Sequence, residues 1–259
     1  MDESAYPLID LHTHTTHSDG RNGLELNVQG AEAVGLATVA TTDHYNARMR
    51  WPIDAVLAEV QEVRRTANVE LLSGAELHVL DVEGTLSMEP EDRAKFDVIL
   101  VEMYHGTEGI FDGSGRLVFE NLARCVDNFC RRNEYVDVFA HPFNVLGPKG
   151  IDLDAFPEEI LRQIAASLRE TGVAFEIMSD QWFWFRRSVP IARLTEQYLR
   201  IVRIMNDEGV LFSFGSDAHS HQGVGNVAWS KRLAARAGIA PERIITSESL
   251  RRRRLRNTG

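Results

Sequence analysis

The chain has 259 residues, of which 44% are hydrophobic and 25% are charged, the balance of a globular rather than a disordered protein. Its 38 acidic residues outnumber its 28 lysines and arginines, so the formal net charge is −10. An acidic surface argues against coating a nucleic acid backbone. Apolar runs such as Val98–Val101 are far shorter than the roughly 20 residues that cross a bilayer, so no contact with a membrane is expected.

The start of the chain and its cysteines indicate the compartment. The first four residues, Met1-Asp2-Glu3-Ser4, lack the basic and then apolar layout of a signal peptide. Cys125 and Cys130 are too few for a disulfide framework and lack Cys-x-x-Cys spacing, so both are interpreted as buried small hydrophobic residues. These features predict a cytoplasmic protein.

Short apolar segments rich in β-branched residues alternate along the chain with longer segments of helical periodicity. The predicted strands are Pro7–Leu11, Leu36–Thr41, Val69–Gly74, Phe96–Glu102, Tyr135–Phe139, Val173–Ile177 and Val210–Phe214. The predicted helices are Leu24–Val34, Ile53–Thr66, Leu117–Arg132, Pro157–Thr171, Leu194–Asp207 and Ala228–Ala237, with a last short strand near Arg243–Ile245. Strict alternation predicts parallel strands joined by crossover helices. Because no break in composition divides the chain, we expect one closed α/β barrel over residues 1–259.

The arginine-rich tail is the one strong charge run. Arg251–Arg254, with Arg256 beyond them, could contact a nucleic acid or a phosphate. The favoured interpretation is the exposed end of a final helix that begins near Ser247, since cations are well placed at a helix C-terminus.

Side chains that can bind metal ions follow six of the seven predicted strands. His12 and His14 lie two residues apart on an extended chain, so both imidazoles point to one side and can hold one ion. The carboxyl ends of the strands form the edge at which an α/β barrel builds its active site. Mixed imidazole and carboxylate ligands favour Zn²⁺, Mn²⁺ or Fe²⁺ over Ca²⁺ or Mg²⁺. The candidate ligands are His12, His14, His17, His44, Glu76, His105, His141, Asp217 and His219.

These motifs, in this order, resemble the polymerase and histidinol phosphatase (PHP) family. They are Asp10-Leu11-His12-Thr13-His14, His17-Ser18-Asp19-Gly20, Thr42-Asp43-His44, Gly74-Ala75-Glu76, His105, Ala140-His141-Pro142 and Gly215-Ser216-Asp217-Ala218-His219. The resemblance implies a distorted (β/α)7 barrel with a di- or trinuclear metal centre. It implies a first ion on His12, His14, Glu76 and Asp217, a second on Glu76, His105 and His141, and a third on His17, His44 and His219. The histidine at position 17 favours the trinuclear branch.

The activity implied by the resemblance is metal-dependent phosphoester hydrolysis. A metal-bridging hydroxide would attack a small organic phosphate monoester at a centre of two to three Zn, Mn or Fe ions. Glu76, Asp217 and His219 are expected to be catalytic through this centre. Three divalent cations would outweigh the two carboxylates, which explains how an acidic chain could attract a phosphate. No Gly-x-Ser-x-Gly nucleophile motif is present in the sequence.

Other functions remain open from the sequence. A nuclease, or a phosphodiesterase acting on nucleotides or cyclic phosphates, would use the arginine-rich tail, although the net charge disfavours nucleic acid as a partner. A metal-binding module without turnover is a third possibility, and a C–N hydrolase is a fourth, disfavoured because no lysine follows the strands. The particular phosphate, the metal and the oligomeric state are left undetermined.

Residues for binding the rest of the substrate are predicted from loops after the strands. Arg48 and Arg50 follow the second strand, and Arg186 and Arg187 follow the sixth, directly after the aromatic run Trp182–Phe185. That run suits either a wall for a flat substrate or a packing seam, and the seam is slightly favoured. Glu176 is expected either to support the metal ligands or to contact the substrate. Other supporting candidates are His221 as a proton donor, His78 beside the metals, and Asp10 and Asp43 as partners that orient imidazoles.

Overall fold

The strands follow one another around a barrel in the computed structural model, which describes residues 2–257. Seven parallel strands are hydrogen-bonded in the order β1-β2-β4-β5-β6-β7-β8, and the short β3 continues the line of β2 and pairs with β4. Val98, Ile99, Leu100 and Val101 are fully buried, as expected for a parallel strand covered on both faces. The bounds are β1 Ile9–Asp10, β2 Thr38–Thr41, β3 His44–Tyr45, β4 Glu70–Asp81, β5 Val98–Glu108, β6 Val138–Phe139, β7 Ala174–Met178 and β8 Phe212–Gly215.

Backbone hydrogen bonds beyond the ends of β1 and β8 join the first strand to the last. The Leu11 N–H donates to the Phe214 carbonyl at 2.9 Å, and the Asp217 N–H donates to the His12 carbonyl at the same distance. Further along, the His14 N–H donates to the Ala218 carbonyl, also at 2.9 Å. These bonds bring the metal-ligand motifs of the first and last strands side by side. The nearly closed seven-stranded barrel confirms the predicted fold class.

Amphipathic helices cover the outside of the barrel. In α4, for example, Val118, Leu122 and Val126 recur every four residues and are buried, while Arg131 and Asp127 pair on the exposed face at 2.6 Å. The helices are α1 Leu24–Ala33, α2 Ile53–Arg64, α3 Pro90–Arg93, α4 Arg116–Arg132, α5 Glu158–Thr171, α6 Trp182–Phe185, α7 Ile191–Asp207, α8 Ala228–Ala237 and α9 Ser247–Asn257. Across residues 2–257, no helix combines the length and the apolar character needed to cross a membrane.

Two features differ from the prediction. Strands β4 and β5 run on to Asp81 and Glu108, well beyond their predicted ends. The predicted strand near Arg243–Ile245 is wrong, because a 3₁₀ turn over Pro241–Arg243 occupies its first part and only Ile244 forms a bridge with β8.

Helix α9 packs across the amino-terminal end of the barrel. Arg251 pairs with Glu70 at the start of β4, and Arg253 donates to the carbonyls of Val136 and Gly172, which precede β6 and β7. Arg254 forms an ion pair with the buried Asp137. The predicted final helix is present, but Arg253 and Arg254 contact the barrel instead of lying exposed at the helix end. The side chain of Arg256 lies outside the described part of the chain.

Candidate metal centre

Four ligand atoms from three strands converge on one point at the carboxyl edge of the barrel. His12 Nε2 lies 3.1 Å from His14 Nε2, 3.2 Å from Glu76 Oε2 and 3.5 Å from Asp217 Oδ1. His14 Nε2 lies 3.5 Å from the same glutamate oxygen and 3.0 Å from the same aspartate oxygen. Ligands about 2.0–2.2 Å from a tetrahedral ion are roughly 3.3–3.6 Å apart. The spacing of these four atoms therefore fits one metal ion.

Glu76 also faces a second group of ligands. Its Oε1 lies 2.7 Å from His141 Nε2, which is 3.8 Å from Glu102 Oε2. Both carboxylate oxygens of Glu76 are buried, and among residues 2–257 no donor meets either oxygen in hydrogen-bond geometry. A buried carboxylate without donors is costly unless a cation satisfies it. Its environment suits a carboxylate shared between two ions.

A third group lies at the mouth of the barrel. Asp19 Oδ1 lies 3.3 Å from His219 Nε2, and Asp19 Oδ2 lies 3.8 Å from His44 Nε2. His219 Nδ1 faces the Asp217 carbonyl at 2.9 Å, a contact that fixes the ring and leaves Nε2 toward Asp19. His14 flanks this group, with its Nδ1 3.9 Å from Asp19.

Two candidate ligands from the sequence are placed elsewhere. His105 is exposed at the cavity wall, beyond the point where β5 shifts register against β4, and its ring meets the Tyr104 ring edge-on at 5.5 Å. Among residues 2–257 it joins none of the ligand groups. His17 Nε2 contacts Glu59 on α2 at 2.7 Å. The structure brings Glu102 and Asp19 to the positions expected for His105 and His17.

The carboxylate of Glu176 supports the ligands from behind. Its Oε1 lies 2.9 Å from His12 Nδ1, and its Oε2 accepts the backbone N–H of His141 at 2.6 Å. A carboxylate on the far nitrogen fixes the tautomer of a ligating imidazole and raises its basicity. Glu176 is only 1% exposed, so it lies behind the metal ligands rather than beside a substrate.

Asp10 and Asp43 fix loops rather than imidazoles. Asp43 accepts the Thr15 N–H at 2.7 Å and the Ser18 hydroxyl at 2.6 Å. Asp10 accepts the Ser216 N–H at 2.9 Å. Each aspartate thereby anchors a loop that carries candidate ligands. The sequence predicts that both orient imidazoles, but among residues 2–257 neither accepts a hydrogen bond from a candidate ligand imidazole.

Two ligands adopt backbone conformations unusual for residues with a side chain. Asp217 has φ +56° and His141 has φ +25°. Positive φ is uncommon for such residues and persists where the surrounding structure imposes it. Here the hydrogen bonds from the Asp217 N–H to His12 and from the His141 N–H to Glu176 hold these backbones in place.

The carboxylates of the candidate metal centre are held in their ionised form, which suits the binding of cations. Burial would raise the pKa of Glu76, but the imidazoles of His12, His44 and His141 hold that pKa well below its usual range. Burial would also raise the pKa of Asp19, but His219 and His44 have the larger effect and lower this pKa to about 2. The carboxylates are therefore ionised near neutral pH, as metal ligands must be.

A cavity of about 920 Å³ opens over the three groups. Its walls include Arg48, as expected, and also Arg21, Tyr104 and Trp184, which the sequence did not single out as individual substrate-site residues. The Trp184 ring lies 4.8 Å from the His141 ring. A cavity of this size accommodates a small organic molecule as well as a phosphate.

The remaining substrate candidates lie away from the cavity wall. The Arg186 guanidinium stacks 3.8 Å from the Phe183 ring and donates to the carbonyl of Phe183. Arg187 is exposed, and His221 Nδ1 contacts Asn22 Oδ1 at 3.1 Å. Both interpretations of the aromatic run apply. Phe183 and Trp184 line the cavity, as a substrate wall would, while Phe185 is fully buried, as a packing residue would be.

The contact between Glu176 and His12 is possible because residue 215 is a glycine, which has no Cβ. A Cβ at this position would overlap Glu176 Oε1 and come within 2.6 Å of the His12 Cβ. We predict that Gly215→Ala displaces this pair and weakens metal affinity about 10- to 100-fold, the usual effect of losing a partner behind a ligand.

Metal titration by calorimetry measures this change. Gly23→Ala is the matched control, since nothing lies within 4 Å of an added Cβ there and its φ of −70° suits alanine. Equal affinities for wild type and Gly215→Ala would disprove the role assigned to the Glu176–His12 contact.

Fold and site together define an α/β barrel that gathers ligands for divalent metal ions at the carboxyl ends of its strands. The family model of the PHP domain matches residues 10–180, so the chain belongs to the PHP domain family. This agrees with the resemblance seen in the sequence.

Individual relatives extend over nearly the whole chain. A protein of Thermoanaerobacter sp. named a probable phosphatase is 24% identical over 246 residues, covering 93% of this chain and 91% of the relative. A Clostridium botulinum protein of the same name is 26% identical over 245 residues, covering 93% and 90%. The solved histidinol phosphate phosphatase of Lactococcus lactis, complexed with zinc, L-histidinol and phosphate, shares the fold with a TM-score of 0.69 and 16% identity, covering 91% of this chain and 95% of that one.

Proposed function

We propose that the protein is a metal-dependent phosphoesterase that hydrolyses a small organic phosphate monoester. The observation that carries the proposal is the buried Glu76 carboxylate between two groups of ligands. Relatives named phosphatases, and a shared fold with an enzyme that binds zinc, histidinol and phosphate, support the same activity.

The residues divide into three proposed ion sites. His12, His14, Glu76 and Asp217 would hold one ion, Glu76, Glu102 and His141 a second, and Asp19, His44 and His219 a third. Imidazole and carboxylate donors suit Zn²⁺, Mn²⁺ or Fe²⁺. Such ions lower the pKa of a coordinated water toward neutrality and stabilise the charge of a phosphoryl group.

The chain's own residues contribute position and environment. Glu76 and Asp217 provide the anionic charge of the centre, and His219 stands at its mouth, facing the cavity. Glu176 holds His12 in place. Trp184 covers the side of His141 and limits the approach of water there.

Metal removal and reconstitution test the activity. The protein stripped with a chelator is expected to hydrolyse no phosphomonoester, and addition of Zn²⁺, Mn²⁺ or Fe²⁺ is expected to restore hydrolysis. A panel that includes phenyl phosphate, other phosphomonoesters and bridged or cyclic phosphodiesters distinguishes the proposed monoesterase from a diesterase. Absence of phosphate release with every metal would refute the proposal.

A further prediction concerns the third ion. Because Asp19 faces both His44 and His219, we expect Asp19→Ala to lower the metal content by about one ion per chain. His17→Ala is the matched control, because His17 contacts Glu59 instead, and it should keep the full content. Elemental analysis of both purified, reconstituted variants shows whether Asp19 or His17 is needed for the third ion. Loss of an ion from His17→Ala alone would favour the ligand set implied by the family resemblance.

A further inference from the structure

The cavity has two cations at its rim that no carboxylate neutralises. Arg21 and Arg48 line the cavity, and within residues 2–257 neither guanidinium lies within 4.0 Å of an acidic side chain. Many arginines elsewhere on this acidic protein are paired, such as Arg116 with Glu120 and Glu159. An unpaired arginine in a binding cavity is a ready partner for an anionic oxygen of a ligand.

Local backbone contacts hold both arginines at the mouth of the barrel. Arg21 comes two residues after Asp19, and its N–H donates to the His219 carbonyl at 2.8 Å. The Arg48 N–H donates to Asn46 Oδ1 at 2.9 Å, and the Asn46 amide nitrogen lies 3.2 Å from His78 Nε2. Both loops follow metal-ligand candidates directly, yet both arginines are exposed while His12 and Glu76 are fully buried.

The strand order places Arg48 across the mouth from the aromatic wall and Arg21 nearer to that wall. Phe183 and Trp184 follow β7. Arg48 extends from the loop after β3, in line with β2 and three or four strands from β7 around the barrel, whereas Arg21 extends from the loop after β1, two strands from β7. A ligand whose phosphate lies over the metal-ligand groups, between these two sides, can therefore reach the arginines with its other end while the Trp184 wall flanks its opposite side.

We propose that the substrate carries a second anionic group, a carboxylate or a further phosphate, which Arg48 and Arg21 bind. This inference rests on the proposed phosphoesterase function and deepens it by naming the substrate class. The opposite class, a phosphate ester with a cationic amine, would need an acidic partner at the rim. Among residues 2–257, Asp180 is the one cavity-lining carboxylate outside the three ligand groups, and it interacts with Trp182.

Matched aryl phosphates test the inference with the metal-loaded enzyme. Phenyl phosphate is the neutral reference, 4-carboxyphenyl phosphate and 1,4-phenylene bisphosphate carry the second anion, and 4-(aminomethyl)phenyl phosphate carries a cation. We expect kcat/KM for at least one of the two anionic esters to exceed that for phenyl phosphate by about tenfold or more, a factor equivalent to about 1.4 kcal/mol. The two anionic esters distinguish a carboxylate from a phosphate as the preferred group.

Variants assign the preference to the arginines. Arg48→Ala should remove most of the preference through KM, and Arg48→Lys should restore part of it. Arg50→Ala is the matched control, since Arg50 is exposed on the same loop and does not belong to the cavity wall. Calorimetric binding of 4-carboxyphenylphosphonate and phenylphosphonate, which are not hydrolysed, should show the same difference between wild type and Arg48→Ala.

The outcomes separate the two proposals. Hydrolysis of phenyl phosphate without any preference for the anionic esters would overturn the second-anion inference and leave the phosphoesterase intact. A preference for the aminomethyl ester would overturn it in favour of an acidic recognition site. If no ester is hydrolysed, the phosphoesterase proposal fails, and equal binding of the two phosphonates would then overturn the inference as well.

Discussion

Replacing Glu76 by glutamine is expected to abolish phosphate-ester hydrolysis while leaving the barrel folded. Glutamine keeps the size of the side chain but removes the charge that both oxygens present to His12 and His141. Because two proposed ion sites share this residue, its loss should lower metal content by more than one ion per chain. Activity should fall by about 10²–10³-fold or more, at least the effect of removing one electrostatic stabiliser.

Elemental analysis, circular dichroism and steady-state kinetics on the reconstituted variant provide the three measurements. Glu108→Gln is the matched control, since Glu108 lies exposed near the end of β5 and should keep both metal and activity. A folded Glu76→Gln protein with full metal content and ordinary turnover would remove the central element of the proposed function.

The clustering of the strand-end candidate ligands was predictable because their positions depend on strand alternation and on barrel closure. His12 and His14 share a face on an extended segment, and the barrel closure through Leu11 and Phe214 brings Asp217 beside them. The carboxyl ends of the parallel strands lie at one edge of the barrel, so polar residues that follow different strands lie close to one another. The fold class followed from the same alternation of strand and helix.

The ligands that the sequence misplaced depend on local geometry. A Ser-Asp-Gly run is typical of a turn, so Asp19 was passed over, although the Gly20 that follows it packs against the His14 backbone and turns the loop inward. On β5 the strand continues past its predicted end, and its pairing with β4 shifts register beyond Met103. Counting alternate positions from Leu100 would have favoured Glu102 over His105.

The arginine-rich tail shows another limit of sequence reading. Arg254 and Asp137 are 117 residues apart, and nothing in either local sequence indicates that they pair. The helical pattern identified α9, but only the tertiary structure shows that its arginines close the end of the barrel opposite the metal-ligand groups. That contact has a large expected effect on stability.

Arg254→Ala is expected to lower the free energy of unfolding by about 1.5–3 kcal/mol, the range for a hydrogen bond to a charged group, because Arg253 stays beside the buried Asp137. Asp137 is 2% exposed, accepts the Ile99 N–H at 2.9 Å and pairs with Arg254 and, at 3.4 Å, with Arg253. Urea denaturation measures the loss. Arg252→Ala is the matched control, since its exposed pair with Glu248 one helical turn away should contribute only about 0.3–0.5 kcal/mol.

The pH dependence of that loss identifies Asp137 as its cause. Burial already raises the pKa of Asp137 against the opposing effect of Arg254 and Arg253, and removing Arg254 should raise this pKa further in the folded state. A folded-state pKa above the unfolded value means that the folded form binds the proton more tightly. The deficit of Arg254→Ala should therefore be complete above the raised pKa and shrink as pH falls through it, because a neutral carboxyl needs no cation. In Asp137→Asn, which keeps an acceptor for Ile99, the further change Arg254→Ala should cost much less at every pH. If Arg254→Ala lowers the free energy of unfolding equally at every pH, and does so in the Asp137→Asn background as well, Arg254 acts through packing instead of charge.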